Sequence, residues 1–490
     1  MTQMAVPFLS SGHIGWRIKS CGNTKYEGRR YISRYKPKYV QVQTLIHMSN
    51  APMKRSNIVR ANQLLHIRVP ICRGKIETEC QSSDIANLPI SVNRFHPNQS
   101  RTRDFVLHFS SSRTRPNMYS LANAQNGKPV LSNGQNNWSG PGPAAFDFRS
   151  DVVTTPTANM LEAIQNTTLL DDVFAEDPTT NDLEEFVSGL TGKEAALLVL
   201  SGTMGNQVSL RAHLGGPPHS VLCDYRAHIR RYEAGGTAVL NGALVDAIVP
   251  KNGVYITLED VKIHAELSDD VHVCPTKIIS LENTLTGTIL PLEECQRISA
   301  WAKEHGIIMH LDGARLWEAV VAEAGTLKDY CDCFDSVSLC FSKGLGAPIG
   351  SIVVGTKDFI KKARWIRKMI GGGMRQTGVV SAAARVSVEE TYLGGKLKKS
   401  HENAKKIEEI WTGLGGKVTS PVDTNMVCID LEGAGISDID FVKLSAKHGL
   451  RTLGDRLVVH YQISDEALQR LEELMREVID QKNKGNGRVA

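Results

Sequence analysis

The 490-residue chain predicts an α/β protein: a large domain, residues 146–394, with a mostly parallel sheet sandwiched by helices, and a smaller C-terminal α/β domain, residues 395–490. Three observations predict it. Beyond residue 146, short β-branched and apolar runs alternate with amphipathic stretches, the pattern of strands buried between two helical layers. Several of these runs end in a residue that can carry chemistry, as expected where a parallel sheet delivers groups at the carboxyl ends of its strands. From about residue 395 the alternation gives way to long charged helical stretches around two short apolar runs.

Ahead of both domains, residues 1–145 are a basic leader and linker. Residues 1–117 hold 19 Lys/Arg against 5 Asp/Glu, leaving 38 against 47 in the remainder, so the overall charge of +5 describes neither part. The leader is rich in Ser, Asn and Arg, lacks sustained periodicity, and runs into NGQNNWSGPGP (133–143), a linker by composition; it is expected to be mostly disordered. It can be a mitochondrial transit segment, a basic arm for nucleic acid, or a stretch upstream of a true start at Met118. The third reading is preferred, because the segment is long, not clearly amphipathic, and carries no nucleic-acid-binding motif.

Within the large domain the first informative element is the run Ala195–Leu200, followed by SGTMGN (201–206) and a helix-like Gln207–His213. Glycines let a backbone approach an anion, and a new helix presents free N–H groups and the positive end of its dipole. Gly202 and Thr203 are therefore candidates for a phosphate seat, although such a turn also simply starts helices. Next comes the strand Ser220–Cys223, with His228 early in the turn or helix that follows. Its flat ring can stack on a heteroaromatic ring, and a surface or core histidine is the plain alternative.

The strand Lys277–Leu281, the amphipathic stretch Leu292–His305 and the strand Ile307–Leu311 follow, the last ending in Asp312 and turning through Gly313 and Ala314 into Arg315. The run SVSLCFSK (336–343) then closes on Lys343, directly before GLGAP (344–348). A pocket lysine that loses its proton can form a Schiff base with an aldehyde, and a nearby aspartate can keep a pyridine nitrogen protonated. A lysine at a strand end otherwise reaches into solvent. With the phosphate seat, however, three parts of one cofactor, pyridoxal 5′-phosphate, stand in one chain.

After the strand Ser351–Val354, the basic stretch Lys361–Lys368 reads as a solvated helix face. Lys368 and Arg375 flank Gly371–Gly373, a flexible segment able to bring two cations to a phosphate or carboxylate. The small domain reads as a helix 401–414, a strand 425–430, Val458–Val459 and a final helix 465–482, carrying Arg456 back to the site.

Composition removes several classes of function. No uninterrupted apolar span approaches the length of a bilayer, and no internal repeat is apparent. The ten cysteines show no metal-like pairs, so no metal is expected, and Cys331 and Cys333 have the wrong spacing for a redox CxxC. A reducing, cytoplasmic location is expected, with mitochondria as the alternative.

The runs DFRSD (147–151), DDVFAEDP (171–178), LTGKEAAL (190–197), SGTMGNQ (201–207), AHIRRYEAGG (227–236), LENT (281–284), HLDGARL (310–316), FSKGLGAPIGS (341–351) and RKMIGGGMRQTG (367–378) resemble the low-specificity L-threonine aldolases. These are fold-type I pyridoxal-phosphate lyases of the threonine aldolase/aromatic β-eliminating lyase group. The resemblance spans roughly residues 147–480 and implies a retro-aldol cleavage of L-threonine or L-allo-threonine to glycine and acetaldehyde. It implies Lys343 as the Schiff-base lysine, Asp312 as partner of the pyridinium nitrogen and His228 as the stacking histidine. Gly202, Thr203, Lys368 and Arg375 match phosphate-binding positions, the last two as basic residues able to reach the phosphate from another subunit. Ser150, Arg315 and Arg456 match the holders of the substrate carboxylate, and Glu233 and Asn206 lie in matched motifs. A homodimer or homotetramer is implied as well.

Two positions depart from the family pattern. Leu285 stands where many relatives carry a histidine that contacts the substrate hydroxyl, so the preference between threonine isomers is open and His228 or a bound water is the expected hydroxyl base. Phe174 stands where tyrosine is common. The alternatives are another pyridoxal-phosphate lyase, β-eliminating or phenylserine-cleaving, and, from another class, a catalytically silent scaffold or RNA-binding protein. The presence of both Lys343 and Asp312 speaks against the silent reading.

Overall fold

The computed structural model describes residues 138–486, with side chains through residue 483, and the residues 71–72 and 75–76. In the unit Met1–Thr114, Ile71–Cys72 pairs antiparallel with Lys75–Ile76. The transit, nucleic-acid and start-site readings of residues 1–117, and the expected disorder of the leader, fall outside the described residues.

In the unit Arg115–Ala490, seven strands form one sheet: β1 (Ala195–Val199), β2 (Ser220–Asp224), β3 (Leu244–Ile248), β4 (Thr276–Glu282), β5 (Ile308–Asp312), β6 (Ser336–Cys340) and β7 (Ser351–Gly355). Their order is β1-β7-β6-β5-β4-β2-β3. β7 runs antiparallel to both its neighbours, and every other pairing is parallel. β2, β6 and β7 are buried at every residue, as strands covered on both faces must be. β3, at the edge, is half exposed.

The two-residue period of a strand sorts its side chains between two cores. Ala196 and Leu198 of β1 join a cluster with Leu281, Leu311, Leu339 and the helix Leu292–Glu304. Leu197 and Val199 face the other way, against Val208 and Ala212 of the helix Gly202–His213 and Phe359, Ile360 and Ala363 of the helix Lys357–Met369. Burying one such aliphatic side chain contributes about 1.5–3 kcal/mol, so the helix that carries the phosphate-seat glycines is anchored by its own apolar face.

A further core gathers Ile407 and Trp411 of the helix Lys396–Gly413, Val427 of β8 (Met426–Cys428), Leu457 of β9 (Arg456–Val458) and Leu471, Leu474 and Val478 of the helix Asp465–Asn486. Phe148, far upstream, lies in this same core; its N–H donates to Arg451 O at 2.8 Å and its carbonyl accepts from Val458 N–H at 2.9 Å. We propose residues 395–490 as the small domain, completed by this N-terminal segment, with 146–394 as the large one.

Three local readings change. β6 stops at Cys340, and Lys343 follows in a loop in which Phe341 N–H meets Gly350 O at 3.1 Å. The charged helix starts at Lys396 rather than at residue 401, directly after Gly395 at φ +75°. Within the basic stretch 361–368, Arg367 is not solvated. It is 1% exposed, ion-paired with Asp172, and donates to Leu198 O at 2.7 Å. No helix among the described residues is long and apolar enough to cross a membrane.

Candidate active site

The carboxyl ends of β2, β4, β5 and β6 and the start of the helix Gly202–His213 supply the candidate residues. β5 ends in Asp312, 4% exposed, whose carboxylate is held from two sides. Asn206 Nδ2 donates to Oδ2 at 2.7 Å and Ala314 N–H to Oδ1 at 3.1 Å. Asn206 is oriented in turn by a buried relay: His310 Nε2 lies 3.1 Å from Asn206 Oδ1, and His310 Nδ1 and His213 Nε2 meet Ser336 Oγ at 2.9 and 2.8 Å. Burial pushes His310 down to about 3 and His213 down to about 4, so both rings are neutral. The contacts are all satisfied when His310 donates from Nε2 to Asn206 and accepts from Ser336, which accepts from His213. The amide NH₂ of Asn206 is thereby aimed at two carboxylates.

The second carboxylate is Glu233. Its Oε1 accepts from Asn206 Nδ2 at 2.8 Å and from His228 Nδ1 at 2.7 Å, and its Oε2 accepts from Gln207 Nε2 at 2.5 Å. The chain turns immediately after it through Ala234 at φ +51° and Gly235 at φ +76°, a left-handed region that glycine enters freely and alanine at some cost. Burial disfavours a charged His228, but its bond to Glu233 and the nearby Asp312 and Glu282 carboxylates hold its pKa above the usual histidine value. The His228 side chain remains 36% exposed.

The loop after β6 holds Lys343 through its carbonyl, which accepts from Thr154 Oγ1 at 2.8 Å and from Gly346 N–H at 2.9 Å. At the helix start, Ser201 Oγ accepts the Met204 N–H at 3.1 Å, leaving the Gly202 and Thr203 amides without a protein acceptor among the described residues. A Cβ on Gly202 would lie 2.7 Å from Cys340 Sγ, so glycine is what lets this helix begin against the end of the strand preceding Lys343. A Cβ on Gly372 would lie 2.9 Å from Met204 Sδ, and one on Gly373 would lie 2.5 Å from Lys368 Cδ. The glycine loop therefore brings Lys368 near the first turn of that helix. Arg375 is held elsewhere, by Asp171 Oδ2 at 2.7 Å, and is 54% exposed beside the Phe174 ring.

Pyridoxal phosphate fits these residues. Lys343 can take its aldehyde, and the open amides of Gly202 and Thr203 with Lys368 can take its phosphate. Asp312 is met by two neutral donors and by no guanidinium or ammonium among the described residues, so a protonated ring nitrogen would complete its surroundings.

The three expected carboxylate holders are not equivalent. Arg315 is bound twice by Asp151, Nε to Oδ2 at 2.7 Å and Nη2 to Oδ1 at 2.5 Å. Burial opposes ionisation of Asp151, but Arg315, Lys343 and His460 hold its pKa far below the usual carboxylate range. Ser150 Oγ caps the single turn Asp151–Val153, accepting Val152 N–H at 3.4 Å. Arg456 has no carboxylate partner among the described residues, and burial together with nearby Arg315 lowers its pKa. Leu285 is buried and lines a narrow cleft with Asp224, Tyr255, Glu282 and Thr288.

The reading by residue type missed Asp151, the His310–Ser336–His213 relay and Glu282. Glu282 ends β4 directly beside Asp312 in register and accepts His228 N–H at 2.8 Å. A carboxylate at a strand end, the signal that found Asp312, was equally present at Glu282.

The profile of the beta-eliminating lyase family matches residues 147–434. Aldolase vrtJ of Penicillium aethiopicum is 59% identical over 342 residues, covering 70% of this chain and 88% of that protein. The low-specificity L-threonine aldolase of Eremothecium gossypii is 46% identical over 342 residues, 70% of this chain and 89% of its own. Alanine racemase TOXG of Cochliobolus carbonum is 44% identical over 360 residues, 72% and 92%. Among solved structures, the threonine aldolase of Leishmania major has a TM-score of 0.60 at 18% identity, covering 68% of this chain and 99% of that one, which shows a shared fold.

Proposed function

The chain belongs to the beta-eliminating lyase family, and on that premise we propose that it cleaves L-threonine and L-allo-threonine to glycine and acetaldehyde. It is a fold-type I enzyme and a lyase of the threonine aldolase group, and its cofactor is pyridoxal 5′-phosphate. When bound, the cofactor supplies an aldehyde for amine capture and a protonated ring that accepts the electrons of a bond broken at the substrate Cα.

Each group of the chain then has a task. Lys343 provides the amine that holds the cofactor between turnovers. Asp312, kept in place by Asn206 and Ala314 N–H, holds a proton on the ring nitrogen. Arg456 binds the substrate carboxylate and so orients the Cα–Cβ bond, while Arg315, neutralised by Asp151, shapes the wall beside it. Ser150 supports this corner. His228, with Nδ1 committed to Glu233, accepts the β-hydroxyl proton at its other nitrogen, directly or through a water.

The observation that carries this reading is the buried Asp312 carboxylate, satisfied by neutral donors alone and reached through one hydrogen-bond network from His228. A second reading, cleavage or elimination of another β-substituted amino acid, is favoured by Leu285, which puts an apolar group where hydroxyl recognition would need a polar one. Comparing kcat/KM for L-threonine, L-allo-threonine and L-phenylserine decides between them. Threonine isomers as the better substrates support the first reading, and a strong preference for phenylserine supports the second.

We assign the enzyme to threonine catabolism and glycine supply in the cytoplasm, with mitochondria as the alternative. A homodimer or homotetramer would cover Leu169, Phe174, Trp365 and Met369, which are 62%, 69%, 73% and 63% exposed, and would let Arg375 reach the phosphate of a partner's cofactor.

A further inference from the structure

We propose that Glu282 and Asp312 hold one proton between them, with Glu282 the neutral member, and that protonated Glu282 is a positioning residue that fixes His228 and keeps Asp312 the single charge of the pair. The two are register partners at the carboxyl ends of adjacent parallel strands β4 and β5, so their backbones lie about 5 Å apart and their side chains leave the same face of the sheet. Two carboxyl groups so placed cannot both ionise freely. Asp312 has the better claim to the charge, because it receives two N–H donors and Glu282 receives one, from His228.

The neighbours on each packed element agree with this division. From the β5 end, Asp312 repels a second charge, and Arg315 is already bound by Asp151. From the β6 loop Lys343, and from the short helix His228, favour the ionised form, but less than burial and Asp312 oppose it; Glu282 is pushed up to about 8. From the β2 end, Asp224 lines the same cleft and takes up Arg226 at 2.9 and 2.8 Å, and the buried Cys223 thiol is pushed up to about 12 and stays neutral.

Below about pH 8 the neutral carboxyl accepts the His228 N–H and leaves Asp312 as the one negative charge of the pair. Above it, the second charge favours the protonated form of His228 and so opposes its acceptance of the substrate hydroxyl proton. The catalytic part of this inference rests on the pyridoxal-phosphate reading above; the shared proton does not. Because the folded state keeps a proton that the unfolded chain releases, Glu282 makes the protein less stable as pH rises from about 4.5 to about 8.

The test is infrared spectroscopy of the full-length enzyme in D₂O, with and without cofactor, against Glu282→Gln and Asp312→Asn. A protonated carboxyl band is expected at pH 7 that disappears around pH 8, is absent in Glu282→Gln, and titrates at least about one pH unit lower in Asp312→Asn. Glu282→Gln is expected to raise the melting temperature at pH 8 and leave it unmoved at pH 4, and to abolish the alkaline limb of kcat near that pH. No band at pH 7, a band that persists in Glu282→Gln, or a titration unmoved by Asp312→Asn would overturn the proposal. Should Glu282→Gln fail to fold, the Asp312→Asn titration decides. Loss of cofactor absorbance would bear on the function proposed above, while the band in cofactor-free protein would still report on the pair.

Discussion

At the scale of the residue, burial and partners decide which of several similar groups can act. Arg315 and Arg456 look alike in the chain, yet Asp151 occupies the Nε/Nη2 edge of Arg315, while Arg456 has no carboxylate partner among the described residues and is the one we propose for a substrate carboxylate. Arg456→Lys keeps the charge and loses the planar fork; KM for threonine is expected to rise roughly tenfold, equivalent to about 1.4 kcal/mol, with a smaller change in kcat. Asp312→Asn is expected to lower kcat/KM by roughly 10²–10⁴-fold, since a neutral amide cannot hold the ring proton. His228 has a folded pKa above its usual value, so its protonated, Glu233-paired form stabilises the protein at pH below the normal histidine range, and that contribution is lost as pH rises through the folded pKa. Proton acceptance follows the opposite sense, and the acid limb of kcat is expected above the usual histidine pKa. A limb at or below that value would contradict His228 as acceptor. The strands that lead to Asp312 and to the Lys343 loop were legible because each is a continuous apolar run. The partnership of Asp151 with Arg315 was not, because the two lie 164 residues apart and only the fold joins them.

At the scale of the element, the helix Gly202–His213 and the strand β6 approach closely, which sets the proposed phosphate seat beside the lysine loop. A Cβ at Gly205 would lie 2.3 Å from Ser338 Oγ and one at Gly202 2.7 Å from Cys340 Sγ. Gly205→Ala is therefore expected to destabilise the protein by about 1–3 kcal/mol, read as a lower melting temperature. Gly202→Ala is expected to weaken cofactor binding more than stability, read by titrating visible absorbance. The basic helix Lys357–Met369 shows where local pattern fails. A run of Lys and Arg looks solvated, but Arg367 is folded onto Asp172 and the end of β1. Asp172→Ala strands that buried guanidinium and is expected to cost about 3–5 kcal/mol in denaturant unfolding. Most strands were legible within a residue or two because their apolar runs are continuous. β8 and β9 were legible to that accuracy as well, and β3 was not, because Asp246 interrupts its short apolar run at the edge of the sheet.

At the scale of the whole molecule, the proposed parts follow one another along the chain: Gly202 and Thr203, His228, Asp312, Lys343 and then Arg456 from β9. The alternation of strand and helix made the large domain legible. The role of Phe148 in the core around Trp411 was not, since a single aromatic residue after a linker has no periodicity to announce its destination. The proposed site draws on both cores, because β9 carries Arg456 and the Asp151 turn follows closely after Phe148. The measurement that tests the central claim most directly is acetaldehyde release from L-threonine by the full-length enzyme supplied with pyridoxal phosphate, beside its Lys343→Ala variant. Stoichiometric acetaldehyde and glycine from the enzyme, abolished in the variant, is the predicted result. No acetaldehyde from either threonine isomer by an enzyme that shows the visible absorbance of bound cofactor would contradict it.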